Sequence, residues 1–364
     1  MQNRDLNKIR YWIAALSLIL LLIGLFVLTT TSAPSALSKY GNSFYYLKRQ
    51  ILYGVIPGLI LGLIAFKIPL EKFRRLIPYV FMANLLLLIL LFLPYFGSVL
   101  GGSRRWLAIG PISFQPTELL KVSFILYFAH LAATFTKKLE YRRLFIVFIC
   151  LIIAIGILMI SQPDLSTFGV ITAIGLAMYF CSGMPIGNIV LILTTVALSF
   201  VLLMRFSNYR LARLLTFLNP ENASLAAGYQ IKQMLYAIGS GGLFGLGLGL
   251  SRQKFGFLPH SISDSIFAII AEETGFFGVV IIIALFTVLV WMILCLAFNH
   301  KDSFRQLLAV GIGSWIAVQA FIHIAANIGL IPLTGMPLPF ISYGGSALAS
   351  QFIGLGLLLN GSKK

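Results

Sequence analysis

The feature that most constrains this chain is the recurrence, from one end to the other, of apolar runs about 20 residues long, the length of helix that crosses a hydrocarbon core roughly 30 Å thick. Hydrophobic residues make up 59% of the 364 and charged residues only 10%. That balance predicts an all-α, polytopic membrane protein, because only a helix satisfies its own backbone in lipid without closing a barrel. The runs fall near 11–31, 51–66, 76–96, 117–135, 144–160, 166–183, 186–206, 264–298, 306–331 and 344–361. About ten transmembrane helices are therefore expected in a single domain over 1–364, with one large loop, 207–263, between the seventh and the eighth. The run 264–298 would be about 52 Å long as one straight helix, so it is expected to tilt, protrude or break near Gly275 and Gly278.

An even number of spans puts both termini on one side, and loop cations choose the side. With the termini cytoplasmic, fifteen of the 27 Lys and Arg lie in inner segments: Arg4, Lys8, Arg10, Lys67, Lys72, Arg74, Arg75, Lys137, Lys138, Arg142, Arg143, Lys301, Arg305, Lys363 and Lys364. The outer or intramembrane cations are Lys39, Lys48 and Arg49, then Arg104, Arg105 and Lys121, then Arg205, Arg210, Arg213, Lys232, Arg252 and Lys254. The positive-inside rule does not account for the last two groups, which makes them candidates for binding an anion. The net charge of +17 reflects orientation and anionic lipid headgroups, and no basic stripe interleaved with aromatics points to nucleic acid. Cys150, Cys181 and Cys295 each sit in an apolar run and read as packing residues; no HExxH or Cys/His cluster predicts a tightly held metal. The first run is too long for a signal-peptide core and is expected to be retained.

On this topology the polar islands share the outer face: Gly102 to Trp106, Gln115 to Lys121, Gln162 to Asp164, Tyr209 to Asp264, and Pro337 to Ser346. Several helix N-termini and the cations Arg104, Arg105, Arg210, Arg213, Arg252 and Lys254 converge there, a surface suited to a phosphate or diphosphate carried by a lipid tail. The carboxylates available for general-base work are Glu118, Asp164, Glu221, Asp264, Glu272 and Glu273. Glu118 and Lys121 lie three apart on one helix face and read first as a mutual pair that makes both tolerable in the membrane. Asp164 reads first as a helix cap. Asp264, where a loop meets a helix, also sits at a capping position, yet a cap leaves the adjoining glycines and cations unexplained.

The motifs Gly102-Ser103-Arg104-Arg105-Trp106, Gln115-Pro116-Thr117-Glu118, Gln162-Pro163-Asp164, Tyr209-Arg210-Leu211-Ala212-Arg213, Gly228-Tyr229-Gln230, Gln253-Lys254, Asp264-Ser265-Ile266-Phe267 and Pro337-Leu338-Pro339-Phe340-Ile341-Ser342-Tyr343-Gly344-Gly345-Ser346 run in an order and topology similar to those of the SEDS family, the FtsW, RodA and SpoVE proteins that polymerise peptidoglycan. The resemblance covers nearly the whole chain and leans to the FtsW branch. It implies a ten-helix glycosyltransferase of the bacterial cytoplasmic membrane, acting on the outer face on lipid II and the nascent glycan strand, in cell division or elongation. It implies that Asp264 is the essential acid, that Arg104, Trp106, Glu118, Lys121 and Asp164 are motif residues, and that the Glu118 and Lys121 pair lines an internal cavity. Together with Arg105, Arg210, Arg213, Gln230, Lys254 and Ser342 these make the candidate substrate-binding set. Thr117, Ser265 and Ala347 depart from the residues usual in the family.

By the same resemblance a class B penicillin-binding protein, a transpeptidase, is the expected partner, alongside other divisome or elongasome membrane proteins. No cofactor is required by the sequence; a divalent cation such as Mg2+ could assist a departing diphosphate. Two other classes compete: a transporter that flips lipid II, which would string polar residues through the membrane instead of gathering them at one face, and a non-catalytic scaffold, which leaves Asp264 without a task.

Overall fold

The computed structural model describes residues 3–93, 97–100, 103–109, 112–137, 140–183, 185, 187, 188, 190–192, 194, 214–218 and 226–362. Its longer helices are α1 (Asn3–Tyr40), α2 (Tyr45–Lys67, with a π-turn at Ile51–Val55), α3 (Ile77–Leu90), α4 (Pro116–Lys137), α5 (Tyr141–Ser161), α6 (Leu165–Cys181), α7 (Ala226–Gly241), α8 (Ile266–Phe298), α9 (Ser303–Asn327) and α10 (Gly345–Gly361). Six of them, α1, α2, α4, α5, α8 and α9, are long and apolar enough to cross a membrane, and α3 and α6 are shorter apolar helices. Nine of the ten expected runs are thus helical, and most of the run 186–206 lies outside the described residues.

Three features depart from the expectation. Helix α1 extends beyond its apolar run to Tyr40 and carries Pro34 inside it. A small antiparallel sheet, in the order β1 (Gly97–Leu100), β2 (Ser103–Ile109) and β3 (Ile112–Phe114), sits between α3 and α4, so the chain is not helical throughout. The region 207–263, read as a loop, contains helix α7, which packs against α8 through Ile231, Met234 and Ala237.

Helix α9 is the hub. It packs against α4, α6, α8 and α10, and Leu307, Leu308, Val310, Trp315 and Ile316 are buried along it. Helices α2 and α10 approach backbone to backbone, because Gly58 and Gly62 recur at a spacing of four on one face. A Cβ on Gly356 would collide with the carbonyl of Gly62, and one on Gly62 with the carbonyl of Phe352. Small residues at that spacing are how membrane helices gain contact when no hydrophobic driving force separates helix from lipid.

At the end of the bundle away from Asp264, Arg74 pairs with Asp302 at 2.6 Å and lies over the Phe304 ring, and Asp302 accepts from the Phe304 amide to cap α9. Asn360 donates to the Ala65 carbonyl. These contacts tie the α9 start and the α10 end to the turn after α2.

Candidate active site

Asp264 lies in the turn before α8, half-buried. The N-cap position of α8 is occupied by Ser265, with no side-chain cap bond, and Asp264 precedes it. The peptide around it is held from three sides. Asn327, at the end of α9, donates to the Asp264 carbonyl at 2.9 Å and accepts from the Ala268 amide. Ser342 donates to the Ser263 carbonyl at 2.7 Å, and the Tyr343 amide to the Ile262 carbonyl. Gln230 of α7 donates to the Ser265 hydroxyl, which in turn donates to the Pro259 carbonyl. A buried segment without helix or strand needs such partners for its peptide groups, and here they fix where one carboxylate stands.

The segment 334–344 lines the other side. Asp264 Oδ2 lies 3.7 Å from where a Cβ on Gly335 would be, and Gly335 has φ +70, so a larger residue there would be strained and would crowd the carboxylate. The segment is pinned in turn: Gln50 accepts from the Gly344 amide, His323 Nδ1 is 2.7 Å from the Met336 carbonyl, and Gln319 donates to the Pro337 carbonyl. Burial pushes the Tyr343 phenol above its usual range, against the pull of Arg49, so it is a neutral group at neutral pH.

Asp164 is the N-cap of α6. It accepts from the Thr167 amide and from the Thr167 hydroxyl at 2.9 Å. The Arg105 guanidinium of β2 stands 4.0 Å from it and donates to the Gln162 and Pro163 carbonyls. Arg105, expected as an anion-binding cation, thus braces the turn between α5 and α6. Ser166 of α6 reaches the Thr334 carbonyl, which joins this turn to the segment beside Asp264.

The Gly-rich stretch 239–249 also has a concrete task. Helix α8 is broken at Gly275 (φ 66, ψ −165), as its length had suggested, and the segment 241–247 lies across the break. Leu246 and Gly247 donate to the Glu272 and Glu273 carbonyls, and Phe276 and Phe277 donate to the Gly242 and Leu243 carbonyls. A Cβ on Gly245 would collide with the Glu273 carbonyl and one on Gly275 with the Gly245 amide. The side chains of Glu272 and Glu273, both buried, hold the turn that follows: Glu272 accepts from the Ser251 hydroxyl and the Arg252 amide, and Glu273 pairs with Lys254 at 3.4 Å. Lys254, expected to face substrate, is buried in that ion pair.

Lys121 Nζ is 2.8 Å from both Glu118 oxygens and 2.9 Å from Gln319 Oε1, and it lies over the Trp315 ring. Lys121 is 0% exposed and Glu118 3%, so the pair lies inside the bundle, as the mutual-pair reading expected. Of the remaining candidates, Trp106 is half-buried on β2. The backbone of Arg104 belongs to β2, while its side chain, and all of Arg210 and Arg213, lie outside the described residues. Sequence reasoning missed the amides Gln50, Gln319 and Asn327. Each is a polar residue at or inside an apolar run, which in lipid demands a specific partner.

The chain matches the FtsW, RodA and SpoVE cell cycle protein family over residues 10–364. It belongs to that family. Stage V sporulation protein E of Bacillus subtilis is 38% identical over 349 residues, covering 96% of this chain and 95% of that one. The probable peptidoglycan glycosyltransferase FtsW of Coxiella burnetii is 36% identical over 352 residues, with 96% and 94% covered. Among solved structures, a chain of a peptidoglycan synthase complex that coordinates polymerization and crosslinking superposes with a TM-score of 0.78 at 27% identity, over 96% of each chain. The rod shape determining protein RodA of Thermus thermophilus shares the fold, with a TM-score of 0.70 over 96% of this chain and 94% of that one at 24% identity. This FtsW/RodA/SpoVE family member is a multi-pass membrane protein.

Proposed function

We propose that this protein is a peptidoglycan glycosyltransferase of cell division or cell shape, which extends glycan strands from lipid II at the outer face of the bacterial cytoplasmic membrane, with Asp264 as its general base. Family membership and relatives named as glycosyltransferases support the activity. The observation that carries the site is the three-sided clamp on the Asp264 peptide, by Asn327, Ser342 with Tyr343, and Gln230 through Ser265. A carboxylate whose only task was to keep a helix end soluble would not need it.

Asp264 takes the proton from the 4-hydroxyl of the GlcNAc of one lipid II. That oxygen attacks the anomeric carbon of the MurNAc at the end of the growing strand, with inversion. The carbon–oxygen bond to the diphosphate breaks, and the lipid diphosphate leaves with the electron pair. Cations of the outer loops, Arg104, Arg210, Arg213 and Arg252, neutralise the charge that develops there. A divalent ion such as Mg2+ would supply further charge neutralisation at the diphosphate. Among the described residues no group of three His, Cys, Asp or Glu side chains could hold a metal, so such an ion would take most of its ligands from diphosphate oxygens and water, the usual habit of Mg2+. The complex in which a structural relative was solved supports a class B penicillin-binding protein as partner. The polar residues gathered at the Asp264 end, with Lys121 held by Glu118 and Gln319 between α4 and α9, favour catalysis over the transporter reading, which would string polar residues through the membrane.

The test is Asp264→Asn in purified, reconstituted protein supplied with lipid II. Asn keeps the backbone clamp and cannot take the proton at neutral pH, so lipid II binding should persist while polymer forms at least about a hundredfold more slowly. Near-normal polymer from well-folded variant protein would sink the assignment.

A further inference from the structure

The segment 242–257 follows α7 on the Asp264 side of the bundle, in a region whose glycines and cations suggest a solvated loop. Its surface is not that of a solvated loop. Leu243, Phe244, Leu248, Leu250, Phe255 and Phe257 are all between 56 and 79% exposed. Of its two cations, Lys254 is buried and Arg252 alone is exposed. Six large apolar side chains standing out of so short a segment make a patch that a water-facing surface rarely carries.

Three further observations say what covers it. The first is continuity. The Phe244 ring packs 5.3 Å from that of Phe277, and Phe276, Phe277, Val280 and Ile281 form the outward face of the membrane-crossing helix α8. The second is depth. Helix α8 ends at Phe298, before Asn299, His300 and Lys301. Counting back the roughly 20 residues that fill a hydrocarbon core brings the opposite boundary close to Val279. The break at Gly275, and the segment bonded across it, therefore lie at that boundary. The third is the backbone. Irregular chain is tolerated at membrane depth only where its polar groups are satisfied within the protein. The amides of Gly245, Leu246, Gly247 and Leu250 and the carbonyls of Gly241, Gly242, Leu243 and Gly247 are all bonded, and the Gly249 carbonyl accepts from Lys254.

We propose that the segment 242–257 is seated in the membrane, its exposed Leu and Phe side chains lying among the lipids of the leaflet nearest Asp264, with Arg252 at headgroup level. The partner is the lipid surface, and the segment is an interfacial anchor that fixes the height of the site above the bilayer.

The experiment uses the unmodified protein in lipid-only nanodiscs containing a phospholipid with a diazirine on its acyl chain. After illumination, peptides covering 242–257 should carry adducts at a yield within about twofold of the α8 face around Val280, as expected of neighbours at one depth. In a second arm, a cysteine-free protein (Cys150, Cys181 and Cys295 replaced by alanine) carries a nitroxide at 244, 248 or 255, with 260 as control. Collisions with a water-soluble nickel chelate should be about tenfold fewer at the three sites than at 260, and collisions with oxygen more frequent, as for a membrane-seated position. Absence of adducts on 242–257 while the α8 face is labelled overturns the proposal. So do nickel collisions equal to those at 260, which would leave the patch free for a protein partner, and shielding from both reagents, which would mean a second copy of the chain covers it.

Discussion

Two Lys and Glu pairs are buried among the described residues, and they tolerate burial by different means. Glu118 and Lys121 share one turn of α4, their side chains 4 and 0% exposed, and the set is neutral and closed by Gln319 and Trp315. Lys254 and Glu273, 6 and 2% exposed, join a turn to the broken helix α8. There Glu272 brings a second carboxylate, and the Ser251 and Arg252 amides supply neutral donors. Removing the ammonium from the first pair leaves Glu118 without the donor that it accepts from, while Lys121 has Gln319 and the Trp315 ring besides. The second keeps its donors when the ammonium is lost. In a membrane protein a buried ion pair therefore says little until the neutral groups around it are counted.

The largest expected effect breaks the first pair. Lys121→Met leaves the Glu118 carboxylate stranded and should cost about 3–5 kcal/mol, the range for an uncompensated buried charge, read as a lower thermal midpoint in detergent or nanodiscs. Glu118→Gln combined with Lys121→Met should recover most of it. A single variant as stable as the parent would erase the distinction between the pairs. Next comes Lys254→Met, with an expected loss of about 1–3 kcal/mol for hydrogen bonds left unmade. Faster amide exchange should be confined to residues 241–254, and exchange spread over all helices would mean that this pair too holds the core.

The smallest effect lies at the far end of the bundle and sharpens the contrast with a half-buried charge. Burial and the nearby Arg305 push the His300 imidazole below its ordinary range, with Asp302 pulling the other way. The unfolded chain therefore takes the proton first. The stability due to neutral His300 is present above the unfolded pKa of about 6.5 and is lost as pH falls through the lower folded value. Thermal midpoints measured between neutral and mildly acid pH should fall more steeply for the parent than for His300→Gln, and identical slopes would remove His300 from the account.

The spans were legible because a 20-residue apolar run has few other uses, and the polar islands because polar residues are scarce enough in such a chain to stand out. Asp264 could be singled out for the same reason. The roles of Arg105 and Lys254 were not legible, since their partners lie 57 and 19 residues away in sequence, and a cation near an expected anion site is read as free until its neighbours are known. Helix α7 was hidden by Gly228, Gly239 and Gly241, although Ile231, Met234 and Ile238 carry a helical period that outweighs them. The sheet left no trace because strands of three to seven residues show too few alternations to register.

The break at Gly275 divides α8 into two stretches under separate constraints. In an unbroken helix the gain or loss of one residue turns everything beyond it by about 100°, so the length that suits the bilayer and the direction in which a distant side chain faces cannot change independently. Here the angular count restarts at Gly275, where the chain leaves helical geometry and is held by a neighbouring strap instead of by its own preceding turn. The half from Phe276 onward is free to be lengthened or shortened to suit bilayers of different thickness, generation after generation, while Asp264 keeps its heading.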